Sequence, residues 1–254
     1  IGSAAVSSGQ QTLTLSTISA GDGAYVCTIT FTDSAGNAAS ALTLTSFTLD
    51  TTSNTPSETT VVTTPTNDAT PNVVITTDEA GTIAVGGTSG CGLSSTATMT
   101  SGANTVTLTI TDSTEGAYVC TITFSDSLGT AATALTLTSF TLDTSVATPS
   151  ETTAVTTPTK DTSPDVVITT TEAGTIVVAG TSGCGVDSAA VSSGQQTLTL
   201  STITAGDGAY VCTITFTDSA GNAASALTLT SFTLDTTVAT PSESTVVTTP
   251  TKDT

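Results

Sequence analysis

Histidine and tryptophan are absent from the 254-residue sequence, and Lys and Arg together number 2 against 21 Asp and Glu. Each shortage removes a class of function. A formal charge of -19 repels duplex nucleic acid and anionic membrane surfaces, because binding to either depends on basic side chains that displace counterions. Lack of histidine takes away the usual base for a nucleophile and the usual nitrogen ligand of zinc. Apolar runs stay well short of the roughly 20 residues needed to span a bilayer, so direct membrane insertion of this segment is not expected. Asn-x-Ser/Thr acceptor sites are missing, and so is a Gly-rich phosphate loop between a strand and a helix.

What remains is rich in Thr and Ser, with Val, Ile, Leu and Ala supplying most of an apolar fraction of 37%. β-Branched residues abound while the good helix formers Lys, Arg, Gln and Met are scarce, which favours strands. Regular apolar alternation separates this composition from that of a disordered chain.

Self-similarity is the strongest signal. Pro-Ser-Glu recurs at Pro56, Pro149 and Pro241, with spacings of 93 and 92 residues. Residues 1–58 match 186–243 almost without change, Tyr25 falling on Tyr210, Cys27 on Cys212 and Asp50 on Asp235. The period defines complete repeats at 56–148 and 149–240. They are flanked by the C-terminal part of a repeat at 1–55 and the start of another at 241–254. Head and tail together lack the counterpart of 163–185, so the sequence is expected to be a window on a longer array.

Within 56–148 the pattern predicts strands at roughly 58–64, 71–77, 81–87, 94–99, 104–111, 116–125 and 133–142. Val106, Leu108 and Ile110 alternate with threonines, and Tyr118, Cys120, Ile122 and Phe124 alternate with Val119, Thr121 and Thr123. A period of two with one apolar face marks a strand half buried in a sandwich. The alternation slips by one residue at Thr138-Ser139, as a β-bulge would require. The fold class is therefore all-β, with tandem β-sandwich repeats of about 93 residues expected to lie end to end.

Five cysteines divide as Cys91 and Cys120 in one repeat, Cys184 and Cys212 in the next, and Cys27 in the head, its partner outside the window. Zinc would want four ligands where each repeat offers two. One internal disulfide per repeat is the natural pairing, closing a loop that contributes roughly 3 kcal/mol on a chain-entropy basis. Disulfides place the chain in an oxidising, extracytoplasmic setting.

The segments Leu49-Asp50-Thr51-Thr52, Pro65-Thr66-Asn67-Asp68-Ala69-Thr70-Pro71 and Phe31-Thr32-Asp33-Ser34-Ala35-Gly36-Asn37 resemble the bacterial Ig-like repeats of giant surface adhesins. Gly208-Ala209-Tyr210-Val211-Cys212 also resembles the Tyr-x-Cys of immunoglobulin strand F. The first cysteine departs from that pattern, following the third strand rather than lying on the second. The resemblance implies an Ig-like sandwich, a role in extending a functional tip from a cell surface or in building an extracellular fibre, and often calcium at the domain junctions. It implies no catalytic site.

Acids gather near each boundary: Asp50, Glu58 and Asp68 at one, Asp143, Glu151 and Asp161 at the next. Calcium takes six to eight oxygens, which such carboxylates and linker carbonyls could supply; as solvated acids they would instead keep a fibre soluble. Thr-x-Thr runs such as Thr105 to Thr109 read as the wet face of a sandwich rather than an ice-binding lattice. An isopeptide bond from Lys160 is not general, since Asn67 holds the matching position. Asp78-Glu79 with Asp187 as an acid–base pair has no accompanying cleft signal, and Asp78 becomes Thr171 in the next copy.

The sequence thus reads as a non-catalytic structural segment of an extracellular or cell-surface fibre. Its partners are neighbouring repeats and other copies of the same chain. The alternative is an adhesive module that holds a glycan or protein in loops at one end of the sandwich. Copies that share most loops, with tyrosine only at Tyr25, Tyr118 and Tyr210, favour the structural reading.

Overall fold

The computed structural model describes residues 2, 4–88, 90–93, 97–112, 114–180 and 183–244, without the side chains of 187 and 188. Residues 94–96 of the expected fourth strand and 245–254 of the expected tail lie outside the described residues. All regular structure among the described residues is β. The chain divides into two compact units, Ile1–Val62 with Ala69–Ser113 and Tyr118–Ser139, and Thr63–Asp68 with Thr114–Ala117 and Phe140–Thr254.

In chain order the head contributes β1 (Gly23–Tyr25), β2 (Thr28–Ile29), β3 (Leu42–Thr43) and β4 (Phe47–Leu49). Next come β5 (Ser57–Thr60), β6 (Asn72–Thr77), β7 (Gly81–Gly87), β8 (Cys91–Leu93), β9 (Ala97–Met99), β10 (Gly102–Ile110), β11 (Gly116–Tyr118), β12 (Cys120–Asp126), β13 (Leu135–Thr136) and β14 (Phe140–Leu142). The second copy supplies β15 (Ser150–Thr153), β16 (Asp165–Thr170), β17 (Gly174–Gly180), β18 (Val186–Val191), β19 (Gly194–Thr199), β20 (Gly208–Tyr210), β21 (Cys212–Asp218), β22 (Leu227–Thr228) and β23 (Phe232–Leu234).

The first unit pairs two four-stranded sheets, β5-β6-β10-β8 and β13-β12-β7-β9. Their alternating apolar residues meet between them: Val73 and Ile75 of β6, Val106 and Leu108 of β10, and Ile122 and Phe124 of β12 are all at most 1% exposed. Each such side chain contributes about 1.5–3 kcal/mol relative to its exposed state. Threonines on the opposite faces stay wet, as half-buried antiparallel strands dictate. In the second unit, β15-β16-β19 and β18-β17-β21-β22 enclose the same kind of core around Ile168, Ile176, Leu200, Ile214 and Phe216.

The expected strand 116–125 is two strands broken at Val119, and 133–142 is likewise two, β13 and β14. The second unit shows why. Tyr210 pairs with Phe232 and Thr213 with Thr228, so Val211 and Cys212 face three residues, Leu229, Thr230 and Ser231. One extra residue on one strand is a β-bulge. The head repeats the same offset, Tyr25 opposite Phe47 and Thr28 opposite Thr43.

A bulge leaves a backbone N–H without a ladder partner. Here a glutamate takes it: Thr230 donates its N–H to Glu151 Oε2 at 2.8 Å and its hydroxyl to the same oxygen at 2.7 Å. Glu58 does the same for Thr138 at 2.8 and 2.7 Å. The Glu of each complete repeat's Pro-Ser-Glu therefore fixes the first strand to the bulge of the last.

Cys91 and Cys120 are bonded with Sγ atoms 2.02 Å apart, and Cys184 and Cys212 with theirs at 2.04 Å. Cys91 lies on β8 of one sheet and Cys120 on β12 of the other, so the bond staples the sandwich across its core. Cys27 is free.

Candidate metal centre

Two groups of three carboxylates form in the described residues, Asp50 with Glu79 and Asp126, and Asp143 with Glu172 and Asp218. Within each trio the carboxylate oxygens lie within 4.8 Å of one another. The two groups occupy matching positions in successive copies. One aspartate follows the last strand of a copy, the glutamate sits in the turn that crosses from one sheet to the other in the next (between β6 and β7, or β16 and β17), and the second aspartate ends β12 or β21.

Backbone register assembles the trio. Gly81 opposes Asp126 and Gly174 opposes Asp218 across their ladders. Each glutamate precedes that glycine by two residues, so the turn swings its carboxylate over the end of β12 or β21. Glycine is required there: a Cβ on Gly174 would lie 2.2 Å from the Thr217 carbonyl oxygen, and one on Gly81 2.2 Å from that of Ser125. The linker closes the third side. In the first group the Asn54 N–H donates to Glu79 Oε1 at 3.3 Å, beside an open recess of about 420 Å³ lined by Asp22, Asp50, Asp78 and Glu79 among others.

Asp126 is 5% exposed and Asp218 7%. Oδ1 of Asp126 accepts the N–H groups of Leu128 and Thr130, both at 2.8 Å. Burial pushes this carboxyl up, but those N–H groups, with a smaller part from the Thr130 hydroxyl, outweigh it and hold the acid below its ordinary range. Its Oδ2 is buried with no hydrogen-bond partner. A charged oxygen withdrawn from water and left unpaired is costly. In the second group burial raises Asp143 and Glu172 above the ordinary carboxylate range. Charge from Asp218 and, less, from Glu115 raises Asp143 further, and charge from Asp143 and then Asp218 raises Glu172 further. Hard, all-oxygen, polyanionic donor sets of this kind suit calcium.

The acids expected to bind calcium divide. Asp50 and Asp143 belong to the trios, whereas Glu58, Asp68, Glu151 and Asp161 do not. Glu58 and Glu151 hold the bulges described above. The backbone N–H groups of Asp68 and Asp161 are held by the hydroxyls of Thr66 and Thr159, and Asp161 Oδ1 caps Ser163. Sequence reasoning counted acids near the boundary along the chain; the ladder instead delivers Glu79 and Asp126 from opposite ends of the following copy. The Asp187 side chain lies outside the described residues.

A second acidic feature went unnoticed in the sequence. The turn before each Gly-Ala-Tyr carries an acid that grips the start of the linker. Asp22 accepts the Thr51 N–H at 2.9 Å and the hydroxyls of Thr51 and Thr52 at 2.6 and 2.7 Å. Asp207 does the same with Thr236 and Thr237 at 2.9, 2.6 and 2.9 Å, and Glu115 accepts the N–H and hydroxyl of Thr144 at 3.0 Å each. These bonds hold Asp22 and Asp207 below their ordinary values, and Glu115 is held below its own first by the Ser145 hydroxyl and then by the Thr144 hydroxyl and N–H.

Paired sheets, F-strand tyrosines and a carboxylate trio repeated at one period define a class, the tandem immunoglobulin-like β-sandwich. Residues 146–236 match the family model of the bacterial Ig-like domain. No curated protein matches the chain. Among solved structures it is similar to a tetra-tandem repeat from the extending region of a large adhesion protein, at 21% identity and a TM-score of 0.29 over 85% of this chain and 57% of that one. It is also similar to the BSP domain of a biofilm associated protein, at 18% identity and a TM-score of 0.27 over 73% of this chain and 30% of that one. The fibronectin(III)-like modules of Clostridium thermocellum CbhA align at 12% identity and a TM-score of 0.40, over 71% of this chain and 94% of that one. The chain thus spans 57% and 30% of the length of the first two.

Proposed function

We propose that this chain is a non-catalytic structural segment of a long extracellular or cell-surface fibre, built of Ig-like repeats at 56–148 and 149–240 and stiffened by calcium at the repeat boundaries. The observation that carries the reading is the recurrence of one carboxylate trio at both boundaries. Each trio draws one acid from the end of a repeat and two from the next, one in the turn between its sheets and one at the end of a strand. A bivalent cation held by such a set ties consecutive repeats, and the grip of Asp22, Glu115 and Asp207 on the following threonines shortens the free linker further. Near-identical copies in series suit a spacer, where length is the product. Acidic surface elsewhere keeps an exposed fibre soluble, and one disulfide per repeat fits an oxidising exterior.

The test is calcium titration of the metal-free chain by calorimetry, followed by small-angle scattering with calcium and with a chelator. Calcium uptake lost in Glu79→Gln or Glu172→Gln, with a scattering profile that becomes more flexible on chelation, supports the reading. No uptake, together with an unchanged profile, would leave the acids a solubilising role only.

A further inference from the structure

We infer that the residue four places after the buried aspartate decides whether a boundary is closed by a cation or by an amide, so that the two trios differ in calcium affinity. The inference rests on the calcium reading above and concerns its regulation along the array. Thr130 and Asn222 occupy the same place in the two hairpins, Asp126-Ser127-Leu128-Gly129-Thr130 and Asp218-Ser219-Ala220-Gly221-Asn222.

In the second unit the Asn222 amide uses both of its hydrogens. Nδ2 donates to Asp218 Oδ2 at 2.8 Å and to the backbone carbonyl of Asp143 at 2.8 Å. The backbone N–H of Asn222 takes Asp218 Oδ1, also at 2.8 Å. Both carboxylate oxygens of Asp218 are thus occupied, and the amide already ties the end of one copy to the hairpin of the next. The head shows that this is the habit of the Asn-bearing hairpin, since Asn37 Nδ2 donates to Asp33 Oδ2 at 2.9 Å.

Thr130 cannot do this. Its backbone N–H serves Asp126 Oδ1, but no hydrogen bond reaches Oδ2, which stays buried and unpartnered within the trio. The same carboxylate that Asn222 neutralises with a dipole is left, at Asp126, with one oxygen for a metal. A calcium ion entering the second trio must first displace the amide from Asp218; one entering the first finds no donor on Asp126 Oδ2 to displace. Neutral amide and divalent cation are alternative ties at the same place, and the hairpin sequence chooses between them.

Calcium chloride titrated into the metal-free full chain tests this, with Thr130→Asn and Asn222→Thr exchanging the two residues. Glu79→Gln and Glu172→Gln silence one trio each without touching a hairpin aspartate, and urea unfolding verifies that every variant folds. Wild type should show a tighter event that Glu79→Gln removes and Glu172→Gln leaves. Asn222→Thr should tighten the second event, and Thr130→Asn weaken the first, each by on the order of tenfold, the equilibrium worth of one charge-assisted hydrogen bond. If the exchanges leave both constants within twofold while each glutamate variant still abolishes one event, the boundaries are equivalent and the inference fails, though calcium binding stands. Tightening by Thr130→Asn would mean that the amide oxygen ligates the ion, and overturns the inference in the same way. Absence of any uptake by wild type overturns the calcium reading itself.

Discussion

Glu151 and Thr230, 79 residues apart, are joined twice through one oxygen: Oε2 accepts the backbone N–H of Thr230 at 2.8 Å and its hydroxyl at 2.7 Å. Removing the acceptor orphans the N–H of a bulge. Glu151→Ala should therefore cost about 1.5–3 kcal/mol, the range for hydrogen bonds to a charged group. Urea unfolding measures it; a loss under about 0.5 kcal/mol, ordinary for a surface change, would mean that the bulge holds itself.

Replacing Cys91 and Cys120 by alanine should lower the stability of that repeat by about 2–5 kcal/mol. The second repeat keeps its own bond between Cys184 and Cys212, so unfolding should split into two transitions. A single unshifted transition would contradict this.

Gly174→Ala forces a Cβ to 2.2 Å from a backbone oxygen, a contact that only a shift of the ladder can relieve. The expected cost is about 1–3 kcal/mol, as for other overpacked sites. Gly206→Ala, where a Cβ meets nothing within 4 Å, separates the clash from the strain of a positive φ, which both Gly206 and other turn glycines carry but Gly174 does not. Thermal unfolding of the two variants decides between the causes.

Acidification should reveal two opposite signs. Hydrogen bonds from the Thr236 hydroxyl and backbone hold Asp207 below its ordinary 3.8. Its contribution is therefore fully present above that value and lost as pH falls through the lower folded one. Asp207→Asn should be less stable than wild type at pH 7, with the gap closing only in strong acid. Burial and the charges of Asp143 and Asp218 raise Glu172 above its ordinary 4.5. Its charged form costs stability at neutral pH, and the cost fades as pH falls through the raised value and is gone below 4.5. In a chelator, Glu172→Gln should be the more stable protein at pH 7 and equal to wild type below that point. Melting curves from neutral to acid pH test both; a parallel offset at every pH would refute the assignment.

The strand faces were legible because burial imposes a period of two, as in Val106, Leu108 and Ile110. The bulge was legible too, since one extra residue shifts that period at Thr138. Its clamp was not: Glu58 lies 80 residues from Thr138 in the chain, and nothing local distinguishes a carboxylate that grips a backbone from one that faces water. The trios were half legible for the same reason. Asp50 and Asp143 stand beside the boundaries, but Glu79 meets Asp126 only through the pairing of Gly81 with Asp126, a relation between distant residues that composition does not encode. Nothing local sets Thr130 apart as a turn residue, whereas the amide of its counterpart Asn222 carries two hydrogen bonds.

The covalent link from Cys91 to Cys120 also sets a limit under tension. A pulling force transmitted along the chain passes through the sulfurs and bypasses the residues between them, a separation of 29. At ~3.3–3.6 Å per extended residue, about 100 Å of slack stays locked inside each repeat even after its sheets part. A torn repeat would thus lengthen less than its chain allows, and would keep a closed loop holding all of β10 ready to re-form the sandwich when the load drops.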